Sequence, residues 1–160
     1  MKIVNDALTE SMRQFGPCRH CGRRVNLCGA HVFAKGHGAG RQIDIPCNLV
    51  SLGMPLTCNC HGSHHDGNEP TFEQLLAYSA ADHDCLQGDI EALRDLILRM
   101  PKWNSMNPER YLAICDRELN YSARRLARTQ LESFKHLWDE LRRPRQSHPQ
   151  KAIRTRPERS

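Results

Sequence analysis

The chain has 160 residues, of which 39% are hydrophobic and only 6% aromatic, with a formal net charge of +5. That length suits one domain, or one small domain with a helical appendage, and a core this thin often needs a staple such as a metal. No apolar leader follows Met1, since Asn5, Asp6 and Glu10 interrupt it, and no stretch approaches a membrane span. The expectation is a soluble, intracellular protein that does not engage a membrane.

In chain order, Ile3, Val4, Ala7, Leu8, Met12 and Phe15 fall near helical spacing and predict a leading helix over residues 2–15. Residues 16–70 differ: they are rich in Gly, Cys and His, with short apolar runs at Asn26 to Phe33 and Asn48 to Leu52 and no helical period. Short strands and loops fit them, with Gly36 to Gly40 as a flexible loop. From Pro70 onward the chain reads as helical through residue 141. Thr71 and Gln74 make a capping box that opens a helix to about Ala81. Asp89 is expected to cap a second, along Ile90, Leu93, Leu96, Ile97 and Met100, which Pro101 stops. Asn107-Pro108 then opens one long helix with Leu112, Cys115, Leu119, Ala123, Leu126, Phe134, Leu137 and Leu141 on one side. That helix is a candidate dimer seam. Its other side carries Arg124, Arg125 and Arg128, read as a solvated face.

Charge is concentrated at the far end. Residues 142–160 hold seven basic side chains, Arg142, Arg143 and Arg145 first among them, against the single acid Glu158. The rest of the chain is therefore −1. Rich in Pro, Gln and Ser, this basic segment is expected to be disordered when free. Either it meets a polyanion such as nucleic acid, or it is a solvated tail that aids solubility.

Ligand chemistry is concentrated in the first half. Six of the eight cysteines lie in residues 18–60 and six of the nine histidines in residues 20–65. In a reducing compartment such cysteines are metal ligands or buried hydrophobes rather than disulfides. Cys18-Arg19-His20-Cys21-Gly22 is a knuckle whose two thiolates can reach one tetrahedral zinc, and Cys58 with Cys60 can complete the set. Cys47 or Cys28 could stand in for Cys58. Cys85 and Cys115, alone on expected helices, read as buried structural thiols. His61 and His65 are four apart, so a helix starting near Cys60 puts both imidazoles on one face, able to hold one metal. His64 is left over, for a phosphate contact or for supporting its neighbours. His31 sits in the apolar run Ala30-His31-Val32-Phe33, the pattern of a strand presenting one polar group.

The order CRHCG, AHVF, CNLVSL, CNCHGSHH resembles the HNH endonucleases over residues 17–68, and within them the small members from bacteriophages and prophages. The resemblance implies an α+β fold: a small ββα-metal (His-Me finger) core with a structural zinc site, followed by a mostly helical C-terminal half. It implies His31 as the general base that activates water, Asn48 as the residue that braces the loop and orients that histidine by hydrogen bonds, and His61 and His65 as ligands of a catalytic divalent ion (Mg²⁺, Mn²⁺, Ni²⁺ or Zn²⁺). Cys18, Cys21, Cys58 and Cys60 then hold the structural zinc. Two departures stand out. Ala30 occupies the position where many relatives have an Asp or His ligand, which implies either weaker metal binding or a shell completed by water and phosphate. The thirteen residues from Asn48 to His61 exceed the family's usual spacing. Lys35 and Arg41 flank a glycine-rich loop that either approaches a DNA backbone or is an ordinary surface loop. The expected function is metal-dependent hydrolysis of DNA phosphodiesters in a bacterial or phage-infected cytoplasm. The alternative is a zinc-stabilised nucleic-acid-binding module without catalysis.

Overall fold

The computed structural model describes residues 3–33, 42–100 and 106–143. Among them it contains a two-stranded antiparallel sheet and six helices, so the protein is α+β and mostly helical. The first helix, α1 (Asp6–Phe15), is shorter than its apolar spacing suggests. Ile3 is taken by a parallel bridge to Ile43, its N–H donating to the Gln42 carbonyl at 2.7 Å. Asn5 then caps the helix, its Oδ1 accepting from the Leu8 amide at 3.0 Å.

The two apolar runs form β1 (Leu27–His31) and β2 (Leu49–Gly53), in register from Leu27 opposite Gly53 to His31 opposite Leu49. A 3-10 turn, Pro46–Asn48, leads into β2. Asn48 is buried there and clasps both ends of the connection between the strands: its Nδ2 donates to the Ile43 carbonyl at 2.8 Å and its Oδ1 accepts from the Phe33 amide at 3.0 Å. Helix α1 packs along β1.

After β2 comes a turn and then α2 (Cys60–His65), a helix of six residues. Next is α3 (Phe72–Asp82), opened by the expected Thr71/Gln74 capping box. In α4 (Gln87–Arg99) Asp89 is not the cap but the third helical residue. Its carboxylate reaches back to the Leu86 amide at 3.0 Å and accepts from Ser122 Oγ at 2.7 Å. Pro101, expected to stop this helix, lies outside the described residues. Cys85 sits half-buried in the turn between α3 and α4 rather than on a helix, whereas Cys115 is helical and buried as expected.

The single long helix expected after Asn107 is two: α5 (Pro108–Glu118) and α6 (Tyr121–Arg142). Leu119 is extended, and Asn120 Oδ1 accepts from the Ala123 amide at 2.9 Å, capping the second helix. The apolar positions run on through the break because the two helices bury them against each other and against α4. Tyr111, Phe134 and Trp138 form the aromatic centre of this half, with ring centroids 5.0–5.8 Å apart. The helical half grips the 3-10 turn directly: Gln130 Oε1 accepts from the Cys47 amide at 2.9 Å and Ser79 Oγ donates to the Cys47 carbonyl at 2.7 Å. No helix of the described residues is long and apolar enough to cross a membrane.

Candidate metal and hydrolytic site

Cys18, Cys21, Cys58 and Cys60 come together with their sulfurs all within 4.8 Å of one another, near enough to hold one metal ion. Four thiolates around a tetrahedral zinc, each about 2.3 Å from it, lie about 3.8 Å apart. The local backbone is shaped for this convergence. Gly22 adopts a positive φ of 79°, and its amide donates to the Cys18 carbonyl at 2.8 Å, closing the knuckle. Asn59, between the other two ligands, is left-handed at φ 51°. Gly53 ends β2 under Cys58, where any Cβ would collide with the sulfur. The Arg19 amide donates to the Ser51 carbonyl at 2.8 Å, tying the knuckle to β2. His20 Nδ1 lies 3.1 Å from the Tyr78 hydroxyl, and Arg19 pairs with Asp82 at 2.9 Å, docking the knuckle on α3.

The cluster's thiols are not electrostatically alike: burial and then the neighbouring thiols push Cys60 up, while Cys58 is brought down. Burial opposes charge on Cys58, but the Cys60 amide and the neighbouring thiols hydrogen-bond to its sulfur and bring it down to about 7. The two stand-ins for Cys58 lie elsewhere. Cys28 is half-buried on β1, its thiol pushed up to about 11 mainly by burial, and Cys47 is fully buried under α3 and α6.

A second centre lies beside the first, in a cavity of about 410 Å³ that brings His31, Asp44, His61, His64 and His65 together. Cys60 joins the two centres, being both a cluster ligand and the first residue of α2. The helix therefore leaves the four-cysteine site carrying His61 and His65 on one face. Their Nε2 atoms are 3.1 Å apart, with the rings edge to face. One ion about 2.0–2.1 Å from each nitrogen is compatible with that separation. Burial, then the nearby His65, His64 and His31, hold His61 below the ordinary imidazole value of 6.5, which favours the neutral ring; the 3.1 Å contact between the two Nε2 atoms is a hydrogen bond that a shared ion would replace. His64 is anchored by Nδ1 at 2.7 Å from the Pro70 carbonyl.

His31 ends β1 and points Nε2 at Asp44 Oδ1, 2.6 Å away. The Asp44 side chain is only 1% exposed. It also accepts from the Asn5 amide at 3.0 Å and from Gln42 Nε2 at 3.0 and 2.9 Å. Burial works against its charge, but hydrogen bonds from His31, Gln42 and Asn5 outweigh that and keep the carboxyl below its usual range. An ionised Asp44 accepts only, so Nε2 carries the hydrogen, and in the neutral imidazole the lone pair is then on Nδ1.

Sequence reasoning missed Asp44. Its signal was the alternation Gln42-Ile43-Asp44-Ile45, an acid between two isoleucines that are both buried. It also missed the far wall, where Asp6, Thr9 and Arg13 of α1, at helical spacing, line the same cavity. The Asn48 side chain bonds to the Phe33 amide and the Ile43 carbonyl rather than to His31, whose side-chain partner is Asp44, so it holds the strand connection and does not orient the histidine. Arg142 and Arg143 are exposed at the end of α6, with Arg142 Nη2 donating to the Met106 carbonyl at 3.3 Å. Lys35, Arg41 and Arg145 lie outside the described residues. Comparison with protein-family models, with curated proteins and with solved structures finds no match to this chain.

Proposed function

We propose that this chain is a metal-dependent endonuclease of the HNH type, hydrolysing DNA phosphodiesters, with a ββα-metal core formed by β1, β2 and α2. The observation that carries the reading is one cavity holding both an imidazole hydrogen-bonded to a buried carboxylate, His31 on Asp44, and a pair of imidazoles, His61 and His65, with Nε2 atoms 3.1 Å apart. Hydrolysis needs those two functions together, a base for water and a positive centre for phosphate.

In this reading His31 Nδ1 takes a proton from water as its oxygen bonds to phosphorus, while the bond from phosphorus to the leaving oxygen breaks. Asp44 stabilises the imidazolium that results. A divalent ion on His61 and His65 supplies charge neutralisation at the phosphate and the leaving oxygen. Arg13, from α1, lines the cavity with its Nη1 paired to Glu10 at 3.1 Å, and would exchange that partner for the phosphate. The four-cysteine site takes zinc, whose preference for closed tetrahedral thiolate shells fits the donor set, and it holds α2 in place.

A second reading, a zinc-stabilised nucleic-acid-binding module, is favoured by one fact. Among the described residues, the four cysteines are the one group of three or more ligand side chains close enough to hold a metal, so His61 and His65 lack a third protein ligand. The two readings part in a plasmid assay. Purified protein is incubated with supercoiled DNA in EDTA, then with Mg²⁺, Mn²⁺, Ni²⁺ or Zn²⁺ restored in excess. Nicking or linearisation that requires the ion is the expected result. Intact plasmid with every ion, while the cysteine site keeps its metal, would leave the binding module.

A further inference from the structure

The arginines read from sequence as a solvated face are not equivalent in the fold. Arg124, Arg125 and Arg128, with Tyr121, surround a cavity of about 240 Å³ on the first two turns of α6, closed on one side by Asp116 of α5. Two of the guanidiniums have carboxylate partners. Arg128 Nη2 donates to both Asp116 oxygens at 2.8 and 2.9 Å, and Arg125 Nη2 to Asp84 Oδ2 at 3.3 Å. Among the described residues Arg124 has none. Its Nη1 makes one long contact of 3.5 Å to the Asp116 carbonyl, and its buried Nε has no hydrogen-bond partner among them. Three guanidiniums against two carboxylates leave the cavity positive.

The end of a guanidinium formed by its two Nη groups presents two parallel donors, a geometry that matches two oxygens of a phosphate. One turn earlier, Tyr121 stands 78% exposed. A large exposed ring beside an unpaired guanidinium suits a ligand with both a phosphate and a flat apolar face, which is what a nucleic-acid strand offers when its bases are unstacked. We propose that Arg124 and Tyr121 form a contact for single-stranded nucleic acid, Arg124 holding one backbone phosphate and Tyr121 stacking on an adjacent base. No residue lines both this cavity and the one around His31, so the contact stands whether or not the chain cleaves.

The test uses the full chain with its cysteine-bound metal and no added divalent ion, with binding of a fluorescent twelve-nucleotide oligo(dT) followed by anisotropy across a salt series. Arg124→Ala is expected to weaken binding about tenfold and to lower the salt slope by about one. Arg124→Lys is expected to restore the slope but not the full affinity, because an ammonium keeps the charge and loses the paired donors. Tyr121→Ala is expected to weaken oligonucleotide binding about tenfold while leaving its competition by inorganic phosphate unchanged. Affinity and slope unaltered in Arg124→Ala, with circular dichroism and metal content matching wild type, would overturn the contact. So would failure of the wild-type protein to bind the oligonucleotide. Loss of binding in Arg124→Ala with no effect of Tyr121→Ala would make this a free-phosphate site and overturn the assignment to a strand. Since no cleavage is measured, failure here is distinct from failure of the nuclease reading.

Discussion

Cys21→Ser is expected to lower the thermal unfolding midpoint by at least about 10 °C and to abolish stoichiometric metal binding, read by calorimetry and by metal released on titration with a mercurial. The size of the effect follows from what the four sulfurs join. The knuckle, the end of β2 and the start of α2 meet at this point. A helix of six residues is far too short to persist alone, and α2 has no side-chain cap at its start. A two-stranded sheet is likewise marginal without support. Structural zinc in small domains is worth about 10–16 kcal/mol at pH 7, enough to decide whether such elements form. Because Cys60 opens α2, the same substitution should scatter His61 and His65 and extinguish cleavage. An unchanged midpoint with one metal still bound per chain would show that Cys21 is not a ligand.

The second large effect is expected at Asp44. Asp44→Asn is nearly isosteric, so the fold should stand, but an amide can either accept from His31 Nε2 or donate to it. When it donates, the hydrogen moves to Nδ1 and the base is lost. Cleavage is expected to fall by up to about 10²–10⁴-fold, bounded by the whole worth of the general base. A merely structural Asp44 would leave the rate per folded molecule unchanged.

Its ionisation adds a pH signature. The folded carboxyl lies below its ordinary value of 3.8, so the stability it contributes is fully present above about pH 4 and is lost as pH falls through the folded value. Urea unfolding between pH 2 and 7 should show the stability difference between wild type and Asp44→Asn shrinking in acid, the release of metal from protonated thiols being common to both. A wild-type acid limb unchanged by the substitution would contradict the assignment.

What the sequence made legible was local chemistry. Cys18 with Cys21 and Cys58 with Cys60 are pairs set by chain spacing, and His61 with His65 needs only one helical turn. Each can be read without knowing the fold. Thr71 and Gln74 are legible for the same reason. Asp44 was not, because its partner His31 is thirteen residues away, across a chain reversal held by Asn48 and by the bridge from Ile3 to Ile43. The break at Leu119-Asn120 hid behind apolar spacing that continues across it, although Asn120 is a good capping residue. Asp89 illustrates a subtler limit. Its role in opening α4 was visible, but a carboxylate at the third helical position satisfies the same free amides as one at the cap, and composition does not separate the two. The inequality among Arg124, Arg125 and Arg128 depends on Asp84 and Asp116 arriving from other elements, so it appears only in the fold.

The most direct test of a hydrolytic centre built on His31 is to compare wild type and His31→Ala on the same supercoiled plasmid. Both carry the cysteine-bound metal and meet the same activating ion. The base assignment predicts conversion to nicked or linear product by wild type and a rate about 10²–10⁴-fold lower in the variant, with unchanged fold and metal content. Equal cleavage by the two proteins would contradict it.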